Sequence, residues 1–305
     1  MILKKLLFKI FNKKKYQALK NFEKKRYILE KYNSDTYKKI LKIKEIIETK
    51  KEISLIHSGH LGDIIYSLPV IKKLSKEHKC NLYIKINKPM PVAYSNHPSG
   101  NVYLDKRIVD LFLPLIKSQK YINSVNIYND ENIDVNLDLF REVPINIMFH
   151  STRWYSHLTG IPIDMEEEFL DVEDHKSLVN KIVIVRSPRY RNQFINYKFL
   201  SNIKNIVCVG LKSEFEDLRK EIKHLEYYNC KDFLEMAQII KSSRLFIGNE
   251  CFAYSVAEGL KVNRLLEASP DFPVIFPVGK NGYDFYHQIH FETFFKKLYL
   301  DGNSR

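Results

Sequence analysis

The residues best suited to chemistry lie in "HSGHLGDIIYSLPVIKKL", residues 57–74, directly after the apolar run Ile53-Ser54-Leu55-Ile56. A loop that only reverses the chain needs neither His60 nor Asp63. Gly59 and Gly62 let backbone approach a ligand closely or take a positive φ. Asp63 falls where a helical apolar period begins, and two roles are open to it. It could cap the helix, or it could take a proton from an acceptor hydroxyl as a general base. His60 is open to a hydrogen-bonding or packing role, or to a place beside Gly59 and Gly62 on the acceptor side of a site. The stretch is not a Walker loop, because no Gly-Lys-Ser/Thr follows, and it has too few glycines for a dinucleotide fingerprint.

A second group is cationic. "VIVRSPRYRNQ", residues 183–193, places Arg186, Arg189 and Arg191 directly after a strand-like run. Guanidinium groups at a strand's carboxyl end suit a diphosphate through planar, charge-assisted hydrogen bonds. A solvated basic loop is the alternative. A third group lies in "SRLFIGNECFAYSVAEGLKVNRLLEA", residues 243–268, where a strand ends at Gly248 and a helix opens near Cys251. The amide groups around 250–254 and the helix dipole favour an anion, with Asn249 and Glu250 at the mouth and Ser255 just inside. Glu258 either accepts hydrogen bonds from sugar or ribose hydroxyls or pairs with a lysine on a solvated face. Gly210 ends another strand, "NIVCVGL" at 205–211, and joins this donor-side set. The chain has no Asp-x-Asp triplet, the usual metal-diphosphate grip. Cations and a helix terminus would then have to stabilise a leaving diphosphate without a metal.

The elements that must position these residues alternate. Strand patterns at 53–57, 80–86, 123–128 and 133–139 are interleaved with helical periods at 64–76 and near 106–117. Pro69 lacks the N–H that would bond Ile65, so the first of these helices is expected to kink there or to start near Ser67. An acidic stretch, "DMEEEFLDVEDHKS" at 164–177, reads as a crossing between domains. The pattern then restarts with strands at 181–187, 205–211 and 244–248 and helices at 213–223, 231–242 and 251–260. Such alternation implies parallel sheets with right-handed crossovers. The expected fold is α/β, two Rossmann-like doubly wound domains, 53–178 and 179–305, facing a cleft and preceded by a basic helical segment, 1–52.

Composition sets the context. Residues 1–52 hold 17 Lys/Arg against 6 Asp/Glu, and so carry +11 of the formal +13. A basic appendage on a nearly neutral body argues against a wholly nucleic-acid-binding surface, and no nucleic-acid partner is expected; a membrane-tethered nucleic-acid binder using residues 1–52 is the rival reading, and that segment lacks a recognition motif. In "MILKKLLFKIFNKKK", Leu3, Leu6, Leu7, Ile10 and Phe11 share one side of a helical projection, with Lys5, Lys9 and Lys13 opposite. Residues 1–15 could lie on an anionic membrane surface, or pack on the body or on another subunit. A second helix is expected from about Ser34 to Lys50. Cys80, Cys208, Cys230 and Cys251 are isolated, which suits reduced thiols in a cytoplasmic protein. No apolar run reaches the ~20 residues a membrane span needs, and the expected location is cytoplasmic or peripheral on the inner face of the cytoplasmic membrane.

"GDIIYSLPVIKKL" resembles the N-terminal motif of the family 9 glycosyltransferases, the ADP-heptose:lipopolysaccharide heptosyltransferase relatives. "FIGNECFAYSVAEGLKV" resembles their donor-site strand–turn–helix. "VRSPRYRNQFINYKFL" falls where that family begins its second domain with a phosphate-contacting loop. The similarity covers roughly residues 53–300. It implies a GT-B fold and metal-independent inverting transfer from a nucleotide sugar, with no cofactor, to a glycan or lipid-linked acceptor. By motif position Asp63 takes the catalytic-base role, and the arginines of 186–191 take that of the phosphate-binding cation. The family's donor turn usually reads Asp-Thr-Gly followed by a His. Here it reads Glu250-Cys251-Phe252, with Ser255 near the histidine's position. That departure leaves a second expectation, a GT-B-shaped protein that binds nucleotide sugars or glycans without transfer.

Overall fold

The structure, a computed structural model, describes residues 2–91, 97–142, 150–271 and 274–301. The chain opens with α1 (Ile2–Phe11), α2 (Lys13–Lys31), a π-helical turn at Tyr32–Thr36 and α3 (Tyr37–Thr49). The first α/β lobe runs β1 (Glu52–His57), α4 (Leu61–Leu74), β2 (Lys79–Ile84), α5 (Lys106–Lys117), β3 (Ser124–Ile127), β4 (Val135–Asn136), a 3-10 turn at Leu137–Arg141 and α6 (Ser151–Thr159). The second runs β5 (Ile182–Val185), β6 (Ile206–Cys208), α7 (Lys212–Leu218), β7 (Glu226–Tyr227), α8 (Phe233–Lys241), β8 (Leu245–Asn249), α9 (Phe252–Gly259), β9 (Arg264–Glu267), β10 (Gly282–Phe285) and α10 (Gln288–Asp301).

Both sheets are parallel throughout. The first has the order β3-β2-β1-β4 and the second β10-β9-β8-β5-β6-β7. Strands covered on both faces must be apolar at nearly every position, and every residue of β5, β8 and β9 is buried. The second sheet, read in chain order, is the 3-2-1-4-5-6 arrangement of doubly wound dinucleotide-binding folds, and the first is its 3-2-1-4 core. In such sheets ligands bind beyond the carboxyl ends of the two strands where the order reverses. Here those points are β1/β4 and β5/β8. The Gly59–Asp63 turn follows β1, and the arginine loop and the Asn249–Cys251 turn follow β5 and β8. Topology therefore brings all three groups to switch points.

The lobes meet through helices, α4 against α9 and α5 against α8. Phe252 at the head of α9 lies 5.8 Å from the Phe112 ring of α5 and 4.7 Å from the Phe233 ring of α8. The acidic stretch joining α6 to β5 also packs: the N–H groups of Phe169 and Leu170 donate to the Gly259 carbonyl at 2.9 and 3.1 Å. One apolar core runs through both lobes, and a second lies under α7 and α10.

Four expectations are corrected. α4 begins at Leu61, well ahead of Ser67, and continues through Pro69. The strand expected over 133–139 is only Val135–Asn136, because Asn136 Oδ1 accepts from the Asp138 N–H at 3.0 Å and starts the 3-10 turn. The helix expected over 213–223 stops at Leu218. α2 falls within the helical segment expected over 1–52, but its separate bounds were not foreseen: it buries no residue, so it carries no apolar core face to read, and Asn12 starts it by accepting from the Lys15 N–H at 2.9 Å. The Leu3 side chain lies outside the described residues.

Candidate active site

Asp63 occupies the third position of α4. Its Oδ2 accepts from the His60 backbone N–H at 3.2 Å and from Arg141 Nη2 at 2.9 Å. It therefore caps the helix, and it also stays 20 % exposed beside an Arg141 that is 29 % exposed. Arg141 Nη1 donates to Asp138 at 2.7 Å, and the guanidinium lies between the Phe140 and Tyr103 rings at 4.3 and 5.3 Å. Asp138 also accepts from Ser58, whose hydroxyl accepts from Lys88 at 2.8 Å. Burial works against the charge of Arg141, but Asp63 and Asp138 outweigh it and raise its pKa. The result is a chain of alternating charges, Lys88, Asp138, Arg141 and Asp63, that fixes the Asp63 carboxylate in orientation.

The backbone beneath is fixed too. Burial pushes His57 down to about 4, so its ring is neutral at pH 7. Nδ1 accepts from the Gly59 N–H at 2.9 Å, which leaves Nε2–H to donate to Tyr155 at 2.7 Å. The Tyr155 hydroxyl then donates to the Asp63 carbonyl at 2.9 Å. Gly59 is required here for space rather than for φ. A Cβ on it would sit 2.6 Å from Arg141 Nη2 and 2.7 Å from Asp63 Oδ2, so the close approach is to the turn's own side chains. Gly62 has open room, with Ser255 Oγ of the other lobe 3.8 Å from where its Cβ would be; neither glycine takes a positive φ. His60 packs against Tyr103 at 4.8 Å and His97 at 5.2 Å. Burial pushes it to about 4, with Asp63 pulling the other way and Arg189 adding to the fall.

The three arginines separate. Arg186 is buried and committed: Nε and Nη2 hold Glu267 at 2.7 and 2.9 Å, Nη2 also meets the Asn192 and Ile195 carbonyls, and the guanidinium lies 4.7 Å from the Tyr197 ring. Arg191 pairs with Asp217 and donates to the Arg186 carbonyl at 3.1 Å. Neither is placed to receive a diphosphate. Arg189 is exposed, stacked on Tyr190 at 4.7 Å, and its charge is felt at His60, at His97 and at Cys251. It is the member of the trio whose charge reaches the two histidines of the first lobe.

The rest of the donor set is largely architectural. Asn249 is fully buried and clamps the arginine loop, accepting from the Ser187 N–H at 2.9 Å and donating to its carbonyl at 2.7 Å. A Cβ on Gly248 would lie 3.0 Å from the Val185 carbonyl, and one on Gly210 would overlap the buried Glu214 carboxylate at 2.3 Å. Glu250 accepts from the Ser269 and Val274 N–H groups at 3.2 and 3.3 Å. Burial outweighs those bonds and raises it to about 7. Cys251 occupies the N-cap of α9 without a side-chain capping hydrogen bond, and burial pushes its thiol up to about 12. Ser255 Oγ donates to the Phe252 carbonyl at 2.6 Å. Both expectations for Glu258 fail on burial: it is 1 % exposed and holds Arg264 at 2.5 Å and Lys261 at 2.5 Å, an internal ion triad rather than a ribose ligand or a solvated pair.

No family model and no curated protein sequence matches the chain. Solved structures do. A glycosyl transferase family 9 protein from Veillonella parvula superposes with a TM-score of 0.53 at 12% identity, over 81% of this chain and 89% of that one. The E. coli heptosyltransferase WaaC, solved with ADP, gives 0.50 at 8% identity, over 82% and 98%. The fold is that of these glycosyltransferases. In that fold two Rossmann-like lobes face each other, and the Asp63 turn and Arg189 lie on opposite sides of their junction.

Sequence reasoning missed Arg141, Asp138, Tyr155 and His57, which hold Asp63, and Glu267, Glu214 and Asp217, which hold the other lobe. His57 stood in the motif and could have been singled out. Glu214 lies three residues from the Leu211 N–H it holds, and the others lie far along the chain from the groups they serve. Among the described residues no three His, Cys, Asp or Glu side chains converge as metal ligands.

Proposed function

We propose that the chain is an inverting glycosyltransferase that moves a sugar from a nucleotide-activated donor to a hydroxyl. The observation that carries this is the Asp63 carboxylate. It is oriented by Arg141 and the His60 amide and partly open, in a turn whose His60 feels the Arg189 charge of the other lobe, and the whole has the fold of the similar glycosyltransferases. In the reaction the acceptor oxygen attacks the anomeric carbon while its proton passes to Asp63. The bond from that carbon to the diphosphate oxygen breaks, and the nucleoside diphosphate leaves with the electron pair. Arg189 and the amide groups at the head of α9 take up the developing charge, with no metal and no cofactor in the step. The interaction of α4 with α9 and of α5 with α8 would tighten to exclude water.

The proposed donor is a nucleoside-diphosphate sugar, ADP-heptose first among them; the ADP in the similar WaaC structure supports an adenine nucleotide. The proposed acceptor is a hydroxyl of a bacterial surface glycan or lipid-linked saccharide, met at the inner face of the cytoplasmic membrane. The test is incubation with a panel of nucleotide sugars and lipopolysaccharide-type acceptors, watching free nucleoside diphosphate and the mass of the acceptor. Consumption of one donor with a matching mass gain is expected; no consumption of any donor would overturn transfer.

A second reading is a module of the same shape that binds nucleotide sugar or glycan without transfer. It is favoured by the commitment of Arg186 and Arg191 to Glu267 and Asp217. Saturable donor binding without turnover would select it.

A further inference from the structure

The first 31 residues hold eleven Lys and Arg against two Glu. They fold as two helices, α1 and α2, joined at Asn12, and the first described buried residue is Thr36 in the π-helical turn that follows. The two helices touch through one side of α1: Lys5 pairs with Glu23, and the Lys15 ammonium lies 5.9 Å from the Phe8 ring. That arrangement leaves the other side of α1 uncovered. Leu6, Leu7, Ile10 and Phe11 are 53, 49, 65 and 78 % exposed, and on α2 Phe22 and Leu29, seven residues apart, are 63 and 59 % exposed. An apolar stripe on a strongly cationic helical pair needs an occupant.

We infer that the α1–α2 pair is a peripheral anchor for an anionic lipid surface. This goes with the membrane-side acceptor proposed above but is carried by its own observations. The charge and the stripe together choose the occupant. A second copy of the chain would bring two such cationic pairs against each other, which like-charge repulsion opposes. A nucleic acid would answer the charge but leave the leucine, isoleucine and phenylalanine side chains in water. An anionic bilayer answers both: acyl-chain boundary for the stripe, phosphate headgroups for the lysines. At about 1.5 Å rise per residue, the ten residues of α1 span half of a ~30 Å hydrocarbon core or less, so the helix lies in the interface. Its stripe would enter the acyl boundary while α2, on the Lys5 and Phe8 side, connects it through the π-helical turn to the catalytic body.

The test uses the full chain with phosphatidylcholine vesicles, with and without phosphatidylglycerol, in a flotation assay. Binding is expected to the anionic vesicles alone and to weaken with salt. Ile10→Glu/Phe11→Glu should lower the partition coefficient about tenfold or more, since burying one such side chain is worth roughly 1.5–3 kcal/mol. Both positions are exposed, so the variant should melt as the parent does; Ile10→Ala/Phe11→Ala serves as the milder control. No binding to anionic vesicles overturns the inference. So does binding indifferent to the double substitution, or a dimer in solution that the substitution dissolves. Tighter binding to random duplex than to vesicles overturns it as well. Donor turnover measured in the same preparation reports on the transferase proposal separately, so either can fail alone.

Discussion

The turn after β1 and the turn after β8 are the same device, a parallel strand running into a helix at a switch point, yet they treat charge in opposite ways. After β1, Asp63, Arg141, Asp138 and Lys88 are linked to one another while three of them keep contact with water, with side-chain exposures of 20, 29 and 37 % for Asp63, Arg141 and Lys88. In the lobe of that second turn, the charges after β5 and along α9 are consumed by buried partners: Arg186 by Glu267 and Glu258 by Arg264 and Lys261. The first turn is oriented and open, as a proton acceptor must be. The second is stabilised from within, and its Glu250 is itself buried under the Ser269 and Val274 N–H groups. Motif position alone makes the two turns look equally catalytic; burial separates them.

The largest expected effect breaks a buried pair of the second lobe. Glu267→Gln strands Arg186 in the core and should cost about 3–5 kcal/mol of folding stability, whereas Arg141→Gln in the open turn should cost roughly 1 kcal/mol or less. Paired denaturant melts check this, and equal losses would erase the distinction.

Next, the turns should respond oppositely to pH. Burial raises Glu250 from its ordinary 4.5 to about 7, so the native state holds a proton that the unfolded chain releases; its stability contribution is full at low pH and falls as pH rises to about 7, by up to ~3 kcal/mol. Burial lowers His57 from 6.5 to about 4, so its contribution is full above 6.5 and falls as pH drops towards 4. Amide exchange, corrected for intrinsic rate, should show the β8–α9 turn more protected at pH 5 than at pH 8 and the β1–α4 turn less protected. Glu250→Gln should abolish the first trend alone.

Two smaller effects concern turnover. Gly59→Ala puts a methyl against Arg141, Asp63 and the buried His57 ring and should lower transfer about 10²-fold through misplacement of the carboxylate, with a loss of about 1–3 kcal/mol in stability. Arg189→Ala should lower kcat/KM for the donor by about 10–100-fold, the worth of one charge-assisted hydrogen bond, and leave acceptor KM unchanged. An unaltered donor constant would remove Arg189 from the site.

Much of this architecture was legible because parallel strands buried on both faces must be continuously apolar, as "IVIV" and "LFIG" are. The Asp63 turn was legible because a strand, two glycines and an acid before a helix make a local pattern. What was not legible was which arginines are tied to buried carboxylates. Arg186 and Glu267 lie 81 residues apart, and Arg141 and Asp63 lie 78 apart. No local spacing encodes those pairs, so a structural guanidinium and a ligand-binding one read alike. α2 escaped for a related reason: a helix without a core face has no periodicity to find.

The central claim is that the carboxylate on α4 accepts the proton in transfer. Asp63→Asn keeps the side chain's shape and its contact with the His60 amide while removing the base. Donor consumption by this variant, measured against the parent at equal melting temperature, should fall by about 10²–10⁴-fold. A rate within a few-fold of the parent would contradict the claim.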